Sequence, residues 1–218
     1  MMYKTVIFDL DGTLLDTLQD LHTSVNAALS AYGLPSRSID EVRAFVGNGI
    51  AKLIQRAIGN PAYPNFEGVL QAFKTHYGAH CKNQTKPYDG ILDLLKTLQT
   101  AGVKTAVVSN KADFAVKLLA EEYFADLLLI AVGENEAGGV RKKPAPDSLF
   151  AVMEELQAEK DEVVYVGDSE VDIQTAKNAG VDCICVTWGF RDKEFLVKNG
   201  AKILIDNPVE ILKFCGIA

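Results

Sequence analysis

The sequence predicts an α/β protein with a doubly wound parallel sheet and an inserted set of helices. Short, almost continuously apolar strands alternate with helical patterns from residue 87 onward, which is typical of a parallel sheet covered on both faces. An apolar strand also precedes residue 9, whereas residues 16–85 contain helical patterns and no good strand. We therefore expect an α/β core domain of residues 1–15 and 86–218 and a helical domain of residues 16–85.

The elements of the core follow in order after the N-terminal strand Val6-Ile7-Phe8. Each predicted helix has apolar residues at helical spacing, and glycines stop two of them, at Gly102 and Gly180. The helices are expected at 89–102, 113–123, 147–157, 171–179 and 208–214. The strands are expected at 103–108, 127–132, 163–166, 183–186 and 203–205.

The inserted segment is expected to contain four helices. Asp16 or Thr17 caps the first, whose apolar residues fall on one side and which stops at Gly33. The second is expected to open at Ser38 or Asp40, and the remaining two to span 50–58 and 66–80.

Composition and charge narrow the functional classes. A length of 218 residues can bury a sizeable core, and 48% hydrophobic with 23% charged residues is ordinary for a soluble protein. No apolar run approaches the roughly 20 residues of a membrane span, and the N-terminus does not resemble a signal peptide. The net charge of −7 disfavours a nucleic-acid surface. We expect a cytoplasmic protein without membrane or nucleic-acid partners, either a monomer or a homodimer.

The segment Asp9-Leu10-Asp11-Gly12-Thr13 carries the strongest chemical signal. It places two carboxylates at the carboxyl end of a buried strand, where open parallel sheets bind ligands. Two anions so close need compensation, and a hard divalent cation such as Mg²⁺ prefers oxygen ligands of this kind. A simple Asx turn would explain one of the two aspartates and would leave the other without a role.

Three further polar patches follow other predicted strands or precede a helix. Each has a bland explanation when taken alone, either as a helix cap or as a solvated basic loop. Together they are complementary, with carboxylates for a cation and a hydroxyl and an ammonium for an anion. Their residues are Ser109 and Asn110, Lys143, and Asp168 with Asp172.

This set of motifs, in this order, resembles the haloacid dehalogenase superfamily, and within it the phosphoglycolate-phosphatase-like group. The resemblance covers essentially the whole chain and implies a Rossmann-like core with a helical cap domain at 16–85. It also implies Mg²⁺-dependent hydrolysis of a small anionic phosphorylated metabolite, with 2-phosphoglycolate as the first substrate to consider.

The resemblance further assigns roles to the aspartates. Asp9 would be the nucleophile that forms an aspartyl-phosphate, and Asp11 would be the general acid and then the general base. Mg²⁺ would be held by Asp9, by the backbone carbonyl of Asp11 and by Asp168, with Asp172 supporting it directly or through water.

The same resemblance assigns phosphate binding to Ser109, Asn110 and Lys143, with Lys143 also offsetting charge during transfer. In the cap, Asn48 and Gly49 would approach the substrate and Arg43 would favour a carboxylate. Pyrophosphatase, nucleotidase and sugar-phosphate mutase activities of the same fold remain alternatives. A phosphate-binding regulatory module without activity would be expected to lack one of these groups.

Overall fold

The structure is a computed structural model of the protein, and it describes residues 2–217. Contacts divide the chain into two compact units. The first unit includes the chain up to Leu15 and from Pro87 onward, and the second is the segment Asp16–Lys86. Within the described residues, no helix combines the length and the apolar character needed to cross a membrane.

The first unit is built on a parallel sheet, which confirms the predicted α/β class. Over residues 2–217 this sheet has six strands in the order β5-β4-β1-β6-β7-β8. Every residue of β1 and of β6 is buried, as expected for strands covered on both faces. Strands β2 and β3 pair separately with each other. The strands are β1 (Thr5–Phe8), β2 (Leu15–Asp16), β3 (Lys86–Pro87), β4 (Lys104–Ala112), β5 (Ile130–Glu134), β6 (Val163–Gly167), β7 (Asp182–Val186) and β8 (Ile203–Ile205).

Helices connect successive strands of the sheet and also form the second unit. The helix expected to open at Ser38 or Asp40 is capped by Ser38: its side chain accepts from the Glu41 N–H, and the Glu41 side chain accepts from the Ser38 N–H. The helices are α1 (Leu18–Ala31), α2 (Ile39–Phe45), α3 (Ile50–Ile58), α4 (Phe66–His80), α5 (Ile91–Thr100), α6 (Asp113–Phe124), α7 (Asp147–Glu155), α8 (Glu170–Ala179), α9 (Lys193–Lys198) and α10 (Ile211–Phe214).

The sheet register brings the ends of three strands together. Strand β1 lies between β4 and β6, and Phe8 at its end is level with Val107 on one side and Val166 on the other. Residues that follow these positions therefore emerge side by side at the carboxyl edge.

Several predicted boundaries were wrong. The strand expected at 127–132 begins only at Ile130, because Ala125–Leu127 forms a 3₁₀ turn after α6. Strand β4 continues to Ala112 rather than ending at 108, with an irregular register against β5 between Val108 and Ala112. The short elements β2, β3 and α9 were not predicted at all.

The second unit is a helical module whose loops are tied by buried polar groups. Asp20 in α1 is buried, and its carboxylate accepts from the Gln84 and Thr85 N–H groups and from the Thr85 hydroxyl. Arg37 donates through Nε to the Ala57 carbonyl, 2.6 Å away, near the end of α3. These contacts satisfy groups that burial would otherwise leave unpaired.

Candidate active site

Asp9 lies directly after β1 and is tied to the neighbouring strand by its N–H, which donates to the Val166 carbonyl at 2.8 Å. Its side chain is buried, and Oδ1 lies 3.0 Å from Lys143 Nζ. That oxygen makes no well-directed hydrogen bond within residues 2–217. Burial raises the pKa of Asp9 from 3.8 to about 6, although the charge of Lys143 opposes the shift.

Two further carboxylates come from the turn after β6 and from the start of α8. Asp9, Asp168 and Asp172 each place an oxygen within 4.8 Å of the others. Burial and then the charges of Asp172 and Asp9 raise the pKa of Asp168 well above its usual range. In metal-free protein, this cluster therefore favours retention of a proton at Asp168.

Protein groups contact both oxygens of Asp172, as they do both oxygens of Asp168, whose Oδ1 accepts from the Thr13 hydroxyl at 3.4 Å. In Asp172, Oδ1 accepts from Lys143 Nζ at 2.7 Å, and Oδ2 accepts from the Ser169 N–H and hydroxyl at 3.1 and 2.6 Å. Asp172 is thus the N3 residue of the capping box that starts α8. These contacts fix the orientation of its carboxylate beside Lys143.

Glycines make room for the carboxylates. A Cβ on Gly12, where φ is +83°, would collide with the Asp168 carboxylate. A Cβ on Gly189 would lie 2.5 Å from Asp168 Oδ2 and closer still to Asp168 Cβ and to the Gly12 carbonyl. The adjacent Phe190 N–H donates to Asp168 Oδ2 at 2.7 Å, so the segment after β7 fixes the orientation of Asp168.

Lys143 is held by contacts along its whole length. The Asn110 side chain donates to the Lys143 carbonyl at 2.9 Å and accepts from its N–H at 2.8 Å. Its Nζ contacts the Tyr165 hydroxyl at 2.9 Å, and that hydroxyl donates to the Val108 carbonyl. Burial would lower the pKa of Lys143, but the Asp172 and Asp9 carboxylates outweigh it and raise the pKa well above its ordinary value.

Asp11 stands apart from the carboxylate cluster and has its own cation. Lys111 Nζ contacts both Asp11 oxygens, at 2.8 and 3.1 Å, and the lysine side chain is only 3% exposed. Lys111 lies two residues beyond Ser109 in β4, and its N–H reaches the Ser109 hydroxyl at 3.4 Å. The two lysines thus pair with different aspartates. Lys143 pairs with Asp9 and Asp172, and Lys111 pairs with Asp11.

The donor set suits a hard divalent cation. Asp9 Oδ1 is buried without a directed hydrogen bond, and it faces Asp168 and Asp172 in a carboxylate-rich cluster. Oxygen ligands with an excess of negative charge are what Mg²⁺ requires. The Asp11 side chain, by contrast, is paired with Lys111 and does not belong to this cluster.

The predicted specificity residues belong to the second unit. Arg43 is in α2, where Nη1 pairs with Asp40 Oδ1 at 3.0 Å on an exposed surface. Asn48 lies in the turn between α2 and α3, and Gly49 precedes α3 with φ of +84°. Their part in substrate selection stays a prediction.

Sequence reasoning missed Lys111 and Tyr165, and it assigned no chemistry to the Gly189-Phe190 segment. Lys111 directly follows Ser109 and Asn110. Its position just beyond an apolar strand was the available signal that the strand continues and buries this lysine. Tyr165 appeared only as one residue of a buried strand. The contact of Phe190 with Asp168 is made by chain segments 22 residues apart, and no local pattern indicates it.

Comparison with known proteins gives a family match and several similar phosphatases. A family model for haloacid dehalogenase-like hydrolases matches residues 6–186. A phosphoglycolate phosphatase of Pseudomonas savastanoi pv. phaseolicola is 34% identical over 221 residues, covering 97% of this chain and 79% of that protein. An N-acetylmuramic acid 6-phosphate phosphatase of Pseudomonas aeruginosa is 32% identical over 215 residues, covering 97% of this chain and 94% of that protein.

A solved structure shares the whole architecture. The crystal structure of a Lactobacillus delbrueckii subsp. bulgaricus protein, provisionally named a phosphoglycolate phosphatase, superposes with a TM-score of 0.92. It is 38% identical in sequence, and the match covers 99% of each chain.

Proposed function

This chain belongs to the haloacid dehalogenase-like hydrolases, and from that premise we propose that it is a Mg²⁺-dependent phosphatase of a small phosphorylated acid, with 2-phosphoglycolate as the first candidate. It is a phosphoric monoester hydrolase, as the matched phosphatases and the hydrolase family indicate. The observation that carries the proposal is the buried Asp9 carboxylate, which faces Lys143 and two further carboxylates at the carboxyl edge of the sheet.

In the proposed first step, an Asp9 oxygen attacks phosphorus and the bond from phosphorus to the alcohol oxygen breaks. Asp11 gives a proton to the departing oxygen, so the alcohol leaves neutral and Asp9 carries the phosphoryl group. In the second step, Asp11 takes a proton from water as the water oxygen attacks phosphorus. The bond to Asp9 then breaks and inorganic phosphate is released.

The remaining groups bind and orient the phosphoryl oxygens. We assign the offsetting of the charge that spreads over these oxygens during transfer to the Lys143 ammonium, 3.0 Å from Asp9 Oδ1, and to the hydroxyl of Ser109 in the neighbouring strand β4. Asn110 contributes by holding the Lys143 backbone against β4 through its two hydrogen bonds.

The metal would be held by Asp9 and Asp168 and by the Asp11 carbonyl, with Asp172 in support. When bound, Mg²⁺ supplies positive charge that keeps Asp9 ionised and lets a phosphate dianion approach it. Because the pKa of Asp9 without metal is about 6, the carboxyl is partly protonated below neutral pH, and this compensation would be most useful there.

The substrate class follows from the relatives' names rather than from the core site. Phosphoglycolate and N-acetylmuramic acid 6-phosphate are both phosphate esters of acids, and the two proteins so named are almost equally similar to this chain. We propose that Arg43, Asn48 and Gly49 select for the acid.

The test is phosphate release from a panel of esters with and without Mg²⁺, by wild type and by Asp9→Asn. The panel pairs 2-phosphoglycolate with 2-hydroxyethyl phosphate, which lacks the carboxylate, and includes N-acetylmuramic acid 6-phosphate, pyrophosphate, nucleotides and a hexose phosphate. Mg²⁺-dependent release that Asp9→Asn abolishes is expected. No release from any ester would refute the function, whereas a preference for pyrophosphate, nucleotides or sugar phosphates would refute only the substrate.

A further inference from the structure

Lys111 is a buried cation that the chemistry above does not use. Its side chain is 3% exposed, and the Nζ atom contacts both oxygens of Asp11 at 2.8 and 3.1 Å. Long, strongly hydrated lysine side chains are rarely buried unless paired. The pairing here is with the residue that the proposed function assigns to proton transfer.

The strand that carries Lys111 is shaped to deliver it. Strands β1 and β4 run in parallel with Phe8 level with Val107, so Asp11 and Lys111 follow at similar distances beyond that pair. The register between β4 and β5 is irregular from Val108 to Ala112. On the β5 side, a Cβ on Gly133 would lie 2.5 Å from the Lys111 carbonyl, so the backbone of this segment is closely packed.

The contact also differs from those of the other buried lysine. Lys143 lies against Asp9 and Asp172, where the phosphoryl group would be bound. Lys111 instead contacts the two oxygens of one carboxylate. An ammonium placed across both oxygens restrains rotation of the carboxylate about its terminal bond and holds the whole side chain in one position.

We propose that Lys111 is a positioning residue that fixes the Asp11 side chain for proton transfer, first from the protonated carboxyl to the leaving oxygen and then from the attacking water to the carboxylate. This inference rests on the proposed function, because it gives Lys111 a role only through Asp11. Small misplacements of a catalytic group reduce rate strongly, and a well-placed acid or base contributes about 10²–10⁴-fold. Loss of Lys111 should therefore remove a substantial part of that contribution.

Comparing substrates with different leaving groups distinguishes a role in proton transfer from a role in phosphate binding or in protein stability. An alkyl ester needs a proton at the departing oxygen, whereas p-nitrophenyl phosphate releases a stable anion and hardly needs one. We expect Lys111→Met to slow first-turnover cleavage of 2-phosphoglycolate about 30-fold or more. First-turnover release of p-nitrophenol should change less than about threefold, followed by slower steady-state turnover, because water activation by Asp11 is also impaired.

A double-mutant cycle tests whether Lys111 acts through Asp11. In an Asp11→Asn background, Lys111→Met should change the alkyl-ester rate less than about threefold, since the group it positions is gone. Lys117→Met is the matched control, because Lys117 is an exposed lysine paired with Asp113 in α6, and it should leave both rates unchanged.

Lys111→Arg keeps the positive charge and guards against a folding failure of the methionine variant, which circular dichroism would reveal. Recovery of both rates to within about threefold of wild type, or a remaining loss confined to the alkyl ester, supports the inference. Equal losses for both esters in the folded lysine variants, or additive effects in the cycle, would overturn it. A wild type without Mg²⁺-dependent activity would instead refute the proposed function itself.

Discussion

Replacing Lys143 by methionine should destabilise the metal-free protein by about 3–5 kcal/mol, the usual cost of removing one partner from a buried ion pair. Lys143 Nζ lies 2.7 Å from Asp172 Oδ1 and 3.0 Å from Asp9 Oδ1. At an effective dielectric of about 20, each of these attractions is about 6 kcal/mol. Burying the ammonium costs several kcal/mol in return, and proton uptake by a carboxylate limits the loss in the variant.

The measurement is urea unfolding near pH 7.5 in the presence of a chelator. Lys142→Met is the control, since Lys142 is the adjacent residue and forms a more exposed pair with Glu136 at 2.9 Å. Such surface pairs contribute about 0–1 kcal/mol. The difference in unfolding free energy between the two variants thus distinguishes the loss of a buried ion pair from the general effect of removing a positive charge.

Magnesium provides a second readout on the same variant. A cation bound among Asp9, Asp168 and Asp172 would replace part of the missing positive charge. Saturating Mg²⁺ should therefore raise the melting temperature of Lys143→Met more than that of wild type. A metal-free variant within 1 kcal/mol of wild type, or an equal Mg²⁺ shift in both proteins, would refute the argument that the site carries excess buried negative charge.

Three other predictions concern single groups. The pKa of Asp9 is about 6 in the folded protein, against an ordinary value of 3.8 in the unfolded chain. Between these two values the folded protein binds more protons than the unfolded chain. The metal-free wild type should therefore lose stability relative to Asp9→Asn as the pH rises from 4 to 6. A pH-independent difference in urea unfolding would contradict this. Gly189→Ala should weaken Mg²⁺ binding about 10–100-fold by displacing Asp168, measured by calorimetry, whereas Gly139→Ala, whose Cβ meets nothing within 4 Å, should not. Asp20→Asn should cost about 2 kcal/mol in urea unfolding, because the added amide faces N–H donors of the 84–85 segment; a change within 0.5 kcal/mol would refute that role.

The fold class was predictable because buried parallel strands leave a simple signature. The runs ending at Phe8 and Val166 are apolar at every position, and both proved to be fully buried central strands. Helices α1 and α4 were placed well because they have 14 and 15 residues, with apolar residues at helical spacing on the buried side. Helix α9 was missed because it is six residues long and buries only Leu196.

The candidate site was only partly visible in the sequence. Asp9 and Asp168 could be found because each directly follows an apolar run, and Lys143 because it stands in a basic loop before a helix. Lys111 was overlooked because the strand that carries it was expected to end at Val108, so a buried lysine was treated as part of a loop. Which carboxylate each lysine contacts depends on packing between strands, and the roles assigned to these residues stay predictions.

The position of β1 has a consequence for synthesis on the ribosome. This four-residue buried strand is made before its neighbours in the sheet, which begin at Lys104 and Val163. Strand β1 must therefore wait, with both edges unpaired, while residues 16–86 emerge and can form their own helices. An exposed apolar edge of this kind invites pairing with other chains. Nascent-chain handling by chaperones should thus matter most between emergence of β1 and emergence of β6.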